Sequence, residues 1–409
     1  MAWKKAIGFL LFINLCACVC AFSSPISKSE ERTEKTVTVY FPNWNVYQSD
    51  DGQVKDLPWD QVNCVNHAFW KVSPAENGFK IVSTDPFADM DATNPKAHFP
   101  QYAQYAKKYP GVDILLSIGG WTCSGQFSQM ALTRESRRFF IQSCLDTLNQ
   151  YPFFTGIDID WEYPGEARKG DGKGDEGNPV KGNDKENFTL LLKELRQALD
   201  ESYGKNKKKL TICAAGAVSI LKKQDYAALH PYVTRINLMT YDLYNRYSPT
   251  TGHHAALYGD LSADTAVCYL RKQGVPAEKI AIGSPFYGHG WKIQDLSKGV
   301  LIGAPAVALN EENMKWRYLS TLEAAACGKE EPGWHMGYDE AAEAAYLWND
   351  DPASKDYGAC ISYESARSLA AKMRYIKDNR LGGIIVWEVG GDDAKKGYPL
   401  CTLMREMAP

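Results

Sequence analysis

Eight short apolar runs alternate with longer stretches of helical periodicity along this chain of 409 residues. The runs are nearly continuous in apolar or β-branched residues, which is typical of parallel strands covered on both faces. They occupy residues 36–41, 62–70, 112–117, 154–160, 210–215, 235–240, 279–285 and 382–387. Helical patterns between them include residues 135–149, 185–202, 263–273 and 365–378. This alternation predicts an α/β fold, specifically a (β/α)8 TIM barrel.

The interval between the seventh and eighth runs is too long for one crossover helix. Within it, residues 358–363 read as a strand, and residues 338–350 have a helical pattern. We therefore predict a small α+β insertion domain over residues 292–379, with the barrel formed by residues 34–291 and 380–409. An open doubly wound sheet is the alternative, but no G-x-G-x-x-G motif follows the first strand.

The N-terminus has the pattern of a targeting segment. Lys4 and Lys5 precede an apolar run over residues 6–20, which is shorter than the roughly 20 residues that a spanning helix needs. We expect a secretory signal peptide over residues 1–21, a secreted protein and no integral membrane span. The alternative is a lipid anchor through Cys18, because the residues before it resemble a bacterial lipoprotein box.

Charge and cysteine content narrow the possible partners. The formal net charge is −3, with both signs mixed along the chain, so nothing favours nucleic acid as a ligand.

Eight cysteines follow the signal segment, and their even number permits disulfides. Cys64 and Cys213 lie in apolar strands, where buried free thiols are also expected. The sequence contains no C-x-x-C pair, so it gives no indication of a structural zinc site. We expect a monomer.

Three carboxylates occupy alternate positions on and just beyond the fourth predicted strand. Strand side chains alternate between faces, so Asp158, Asp160 and Glu162 point the same way. Their neighbouring Cα atoms lie roughly 6–7 Å apart, from a rise of about 3.3 Å per residue. Unpaired carboxylates at that spacing repel one another, and one of them is expected to hold a proton at neutral pH. A protonated carboxyl is what a general acid requires.

Polar and aromatic residues gather at the predicted carboxyl ends of the strands, the face that carries the active site of such a barrel. These residues are Tyr40, Trp44, Phe69, Gly119, Gly120, Trp121, Tyr163, Met239, Tyr241, Asp242, Tyr287 and Trp387. Residues 165–184, rich in Gly, Lys and Asp, follow the acid strand directly. We expect them to form a mobile loop at the barrel mouth, either as a surface insertion or as a moving lid.

The chain resembles the family 18 glycoside hydrolases, the chitinases and their relatives. The motif D-x-x-D-x-D-x-E corresponds to residues 155–162, S-x-G-G to residues 117–120, and M-x-Y-D to residues 239–242, while Trp387 matches the tryptophan of the eighth strand. The insertion is similar to that of chitinases with deep clefts. Two positions depart from the family pattern: Thr155 replaces the first Asp, and His289 stands where an Arg is frequent.

The resemblance implies a reaction in which the substrate supplies the nucleophile. Glu162 would protonate the leaving oxygen, and Asp160 would orient the acetamido N–H. Asp158 would support Asp160 from deeper in the barrel. Tyr241 would donate a hydrogen bond to the acetamido oxygen, and Asp242 would support the site from the sixth strand.

The same resemblance implies chitin or chitooligosaccharides as ligands and no cofactor or metal. Trp387 would form the floor beneath the sugar at the cleavage point, and Trp121 would stack on a sugar further along. Further substrate contacts are expected from Tyr40, Phe69, Gly119, Gly120, Tyr163, Met239 and Tyr287.

Three alternatives remain from the sequence. Three carboxylates can bind Mg²⁺ or Ca²⁺. His67 is the one histidine at a strand end that could face the site, but a histidine there is more often a core hydrogen-bonder, and His253–His254 is most simply a loop pair. A non-catalytic chitin-binding lectin is disfavoured, since Glu162 is present. An endo-β-N-acetylglucosaminidase acting on N-glycans is disfavoured by the insertion and Trp121.

Overall fold

The computed structural model describes residues 35–48, 52–310, 314–328 and 330–408. The predicted signal peptide and Cys18 lie outside these residues. Within the described ranges, no helix combines the length and the apolar character needed to cross a membrane. All eight cysteines there are free, and Cys64 and Cys213 are buried as expected.

Eight parallel strands close into a barrel, which confirms the predicted fold. Its ring runs β1–β2–β4–β5–β6–β7–β8–β14 and closes by pairing β14 with β1, while β3 adds an antiparallel edge to β2. The strands of the described residues are β1 Thr36–Pro42, β2 Cys64–Ala75, β3 Gly78–Ser83, β4 Asp113–Gly119, β5 Gly156–Asp160, β6 Lys209–Ala215, β7 Arg235–Met239, β8 Ile280–Pro285, β9 Gly288–Ile293, β10 Ala306–Ala308, β11 Trp334–Asp339, β12 Ala344–Asn349, β13 Ala359–Tyr363 and β14 Gly383–Trp387.

The helices of the described residues are α1 Pro86–Met90, α2 His98–Lys108, α3 Phe127–Ala131, α4 Arg134–Gln150, α5 Asp184–Tyr203, α6 Val218–Leu221, α7 Tyr226–Leu229, α8 Ala263–Lys272, α9 Trp316–Gly328, α10 Ala366–Asp378 and α11 Pro399–Met407. Of these, α1 to α10 lie between strands along the chain and α11 follows β14. The four helices that the sequence delimits are present to within one residue at each end. Buried leucines along α5 show why such a periodic segment folds as a helix against the barrel.

A second sheet of five antiparallel strands, in the order β10–β9–β13–β12–β11, lies between β8 and β14 in the chain. The expected strand at 358–363 is confirmed as β13. The helix expected over 338–350 is wrong, because β11 and β12 form a hairpin there. Its Ala- and Glu-rich residues suit a helix by propensity, but pairing of β12 with both β11 and β13 outweighs that preference. The second sheet begins with β9 at Gly288. Helix α10, which follows this sheet in the chain, packs on the barrel strands β8 and β14.

Side chains of the barrel strands divide between two cores. Ile157 and Ile159 of β5 are fully buried in the large core that includes apolar residues of the surrounding helices. Alternate residues point inward, where Tyr40, Phe69 and Met239 belong to a separate cluster. Asp158 and Asp160 share that inward face with them, so the strand alternation places carboxylates inside the barrel.

Candidate active site

Asp158 lies deepest of the three acids and is fully buried. It accepts hydrogen bonds from side chains on four strands, β1, β4, β6 and β7. The donors are Tyr40 Oη at 2.9 Å, Ser117 Oγ at 2.8 Å, Asn237 Nδ2 at 3.2 Å, Cys213 Sγ at 3.7 Å and the Thr211 hydroxyl. Because these donors occupy both of its oxygens, Asp158 is held as a support beneath the site.

Asp160 stands one step closer to the mouth and is also buried. Burial, and then the neighbouring carboxyls of Glu162 and Asp158, raise the pKa of Asp160 well above its usual range. Its Oδ1 has no hydrogen-bond partner among the described residues. A buried polar atom without a partner is costly, so this oxygen is suited to a ligand that brings a partner.

Glu162 follows the end of β5 and is only 9% exposed. Burial raises the pKa of Glu162 to about 7; a hydrogen bond with Tyr163 opposes that rise, and the charge of Asp242 adds to it. The Glu162 backbone N–H donates to Ser124 Oγ at 2.9 Å, which fixes the chain at this point. A carboxyl that titrates near neutral pH can both give and take a proton there.

Aromatic rings form a wall beside the acids. The Trp387 ring lies 5.5 Å from Phe69, 5.8 Å from Tyr40 and 6.2 Å from Trp44, measured between centroids. Trp121 stands apart and is 47% exposed. Flat apolar faces of this kind suit the faces of pyranose rings, since they offer large contact area with little loss of side-chain freedom.

A cavity of about 580 Å³ connects the acids with the aromatic wall. Eleven of the residues predicted at the active face line it: Tyr40, Trp44, Phe69, Trp121, Asp160, Glu162, Tyr163, Met239, Tyr241, Asp242 and Trp387. Tyr287 instead lines a neighbouring cavity of about 450 Å³ and donates to Asp242 Oδ1 at 2.5 Å. A cleft that joins titrating carboxyls to exposed aromatic rings is typical of a carbohydrate-active enzyme.

The predicted glycines serve close packing and are not part of the cavity lining. Gly119 has φ +116°, and a Cβ there would lie 2.0 Å from the Asp160 carbonyl oxygen. At Gly120, with φ +85°, a Cβ would lie 2.7 Å from the Phe69 ring. Both positions therefore require glycine, which allows β4 to approach β5 and the aromatic wall.

The model of the family described as "Glycosyl hydrolases family 18" matches residues 36–392. This chain belongs to glycosyl hydrolase family 18. The match takes in all eight barrel strands and the second sheet, so the resemblance inferred from four short motifs is confirmed over most of the chain.

Similar proteins come from several kingdoms. Chitinase A1 of Niallia circulans is 28% identical over 96% of this chain and 62% of its own length. Chitinase 1 of Aphanocladium album is 30% identical over 96% of this chain and 90% of its own length. The group IV chitinase of Ostrinia furnacalis, solved in complex with allosamidin, has a TM-score of 0.75 at 27% identity and covers 91% of this chain and 98% of that one. The chain spans about half the length of the first three bacterial chitinases that it matches.

The family position occupied by Thr155 lies at the entrance to β5. Thr155 Oγ1 accepts a hydrogen bond from the Ile114 backbone N–H at 3.1 Å and lies 3.3 Å from the carbonyl oxygen of the same residue. These contacts join β5 to β4 away from the acids. Thr155 therefore links the two strands and is not part of the cavity lining.

The carboxylate of Asp242 has a different environment from that of the acid strand. Its side chain is 48% exposed, and His289 Nε2 lies 2.8 Å from its Oδ1. Loss of solvent on one side raises the pKa of Asp242, but interactions with His254 and His289 outweigh that effect and lower it overall. This family 18 chain thus holds an ionised carboxylate at the rim and protonatable carboxyls within.

Several residues of the site were not found from the sequence. Thr211, Cys213 and Asn237 bind Asp158, and strand alternation on β6 and β7 is the signal that points to them. His67 does not reach the cavity: it is fully buried and its Nε2 lies 2.9 Å from Asp89 Oδ1, in agreement with its interpretation as a core hydrogen-bonder. His289, in contrast, lines the cavity.

The loop over residues 165–184 is fastened to the cavity wall at several points. Asn178 Nδ2 donates to the carbonyl oxygens of Tyr163 and Glu166 at 2.7 and 2.6 Å. The Arg168 guanidinium lies 3.8 Å from the Trp121 ring centroid and also bonds the Trp121 carbonyl oxygen. Its mobility stays a prediction, but the contacts make the loop part of the support for Trp121.

Proposed function

We propose that this protein hydrolyses β-1,4 bonds between N-acetylglucosamine units of chitin or its oligomers, with retention at the anomeric carbon. The observation that carries this proposal is the buried Glu162, whose pKa is raised to about 7 beside the aromatic wall. The relatives named as chitinases support the choice of substrate.

In the first step, Glu162 donates its proton to the glycosidic oxygen as the bond from that oxygen to the anomeric carbon breaks. The carbonyl oxygen of the 2-acetamido group forms a new bond to the same carbon, giving a cyclic oxazolinium ion. Glu162 then takes a proton from water, whose oxygen opens the ring and restores the acetamido group. Two displacements at one carbon leave its configuration retained.

The remaining groups position the acetamido arm. Asp160, with its unpartnered Oδ1, accepts the acetamido N–H and stabilises the positive charge that develops. Burial raises the pKa of Tyr241 well above its usual range, so its hydroxyl stays a donor for the acetamido oxygen. Trp387 packs beneath the sugar.

The substrate must supply the nucleophile because each acid already has a task. Asp158 is bonded from four strands and does not line the cavity. Burial and the neighbouring carboxyls raise the pKa of Asp160 well above its usual range, and a carboxyl that keeps its proton is a poor nucleophile. An N-acetylated sugar is therefore required.

We also propose that the protein is secreted, on the strength of the basic and apolar pattern over residues 1–21. N-terminal sequencing of the exported protein tests this. A sequence that begins after Ala21 is expected, and recovery of full-length protein from the cytoplasm alone would contradict it.

The test of the proposed activity is digestion of chitotetraose, with the first products followed by proton NMR. We expect cleavage with the new reducing end in the β configuration, and competitive inhibition by a thiazoline that mimics the oxazolinium ion. Release of an N-glycan from a glycoprotein without cleavage of chitotetraose would assign an endo-β-N-acetylglucosaminidase. Binding without cleavage would assign a lectin.

A further inference from the structure

Two histidines and one carboxylate meet at the rim of the cavity. Asp242, His254 and His289 each present one ligand atom, and these atoms lie within 4.8 Å of one another. We call these three residues the rim cluster. Imidazole nitrogens and a carboxylate at such spacing are the ligand set of many zinc sites.

His254 gives an independent sign that a ligand belongs here. Its side chain is fully buried, and neither ring nitrogen has a hydrogen-bond partner among the described residues. Its Nδ1 faces Asp242 Oδ1 at 3.9 Å, and its ring lies 5.1 Å from the His289 ring. Unpartnered buried polar groups are uncommon because they lose their bonds to water, so a species between these residues would satisfy the imidazole.

We propose that the rim cluster binds a divalent transition cation of the Zn²⁺ type, held by the two imidazoles and the carboxylate. Mg²⁺ and Ca²⁺ do not fit, since they prefer oxygen ligands. Asp242 and His289 line the main cavity, so a fourth ligand position would face it and hold water.

Such an ion would inhibit the proposed reaction. It would occupy the rim beside the cleavage point and obstruct the sugar that leaves. The rim cluster is thereby an inhibitory site, and removal of the metal by a chelator would restore activity.

A second cluster, His67, Asp89 and His98, has similar spacing but a different character. All three side chains are fully buried in the core. Asp89 already accepts hydrogen bonds from Trp70 at 2.8 Å and Ser83 at 2.5 Å, besides its contact with His67. Both oxygens of Asp89 are thus committed to the fold, whereas the Tyr287 and His289 contacts of Asp242 both fall on its Oδ1. The rim cluster is therefore the better candidate.

Calorimetric titration of the purified, chelator-treated protein with Zn²⁺ tests the site without relying on catalysis. We expect one ion per chain, and His254→Asn should weaken binding by at least about tenfold. His289→Gln provides a second loss of a ligand in case His254→Asn does not fold. His335→Asn is the control, because His335 pairs with Asp350 at 2.8 Å in an exposed position.

Two results would overturn the proposal: no saturable binding by the wild type, or equal binding by the wild type and both rim variants. Co²⁺ gives a further readout, since visible bands of a four-coordinate ion should appear in the wild type and be lost in the rim variants. In hydrolysis assays, Zn²⁺ should inhibit at concentrations that match the calorimetric Kd, and EDTA should reverse this. Binding without any activity would refute the proposed function and leave the metal site standing.

Discussion

Glu162 and Asp242 are carboxyls of one cavity, yet their proton affinities move in opposite directions. Glu162 is buried next to other acids, and its pKa rises to about 7. Asp242 is half exposed and contacts two histidines, and its pKa falls. The two also interact, because the charge of Asp242 contributes to the raised pKa of Glu162.

The difference shows that position at a strand end does not by itself make a carboxyl an acid catalyst. What decides is whether the surrounding groups stabilise the neutral or the ionised form. The barrel interior withholds water from Glu162, whereas the rim offers imidazoles to Asp242. One cavity therefore holds a proton-donating carboxyl at Glu162 and a negative charge at Asp242 that favours the protonated form of Glu162.

The largest effect is expected from Glu162→Gln, which keeps the shape of the side chain and removes the transferable proton. The rate of chitotetraose cleavage should fall by about 10²–10⁴-fold, the usual contribution of a general acid, while binding persists. Steady-state kinetics and equilibrium binding measure the two quantities. Glu166→Gln is the control, since Glu166 pairs with Lys223 at 2.5 Å. Undiminished turnover in Glu162→Gln would contradict the account.

The same substitution should stabilise the fold at alkaline pH. Between pH 4.5 and about 7 the folded chain holds a proton on Glu162 that the unfolded chain releases. Stability of the wild type therefore falls as pH rises through this window, by on the order of 3 kcal/mol. Glutamine cannot ionise, so Glu162→Gln should exceed the wild type in free energy of unfolding at pH 8 and match it near pH 4. Urea unfolding measures both, and an equal difference at the two pH values would count against burial as the cause.

A smaller effect is expected from Asp242→Asn, which removes the charge at the rim. The pKa of Glu162 should fall, so the alkaline limb of the kcat/KM profile should move to lower pH. Asp260→Asn, at an exposed position outside the cavity lining, is the control. A profile that keeps its position in Asp242→Asn would show that the two carboxyls are independent.

The barrel and its acid strand could be predicted because each depends on local pattern. Continuous apolar runs specify buried parallel strands, and the alternation of Asp158, Asp160 and Glu162 with Ile157 and Ile159 fixes which face is inside. The hairpin over β11 and β12 could not be predicted in this way. Its Ala and Glu residues favour a helix locally, and only pairing with β13 decides the outcome.

The rim of the site depends on contacts between distant parts of the chain. His254 and His289 approach Asp242 only because the loop after β7 and strand β9 meet at the barrel mouth. Arg168 reaches Trp121 from a loop 47 residues further along the chain. Neither periodicity nor spacing contains that information, which is why the sequence indicated only a loop pair at His253 and His254.

The most direct test of the central claim is the titration of the Glu162 carboxyl itself. Carbon NMR of protein labelled at the glutamate side-chain carboxyl, compared with the same spectra of Glu162→Gln, identifies its signal. The account predicts a titration midpoint near pH 7, as burial next to Asp242 requires. A midpoint near the ordinary value of 4.5 would contradict it.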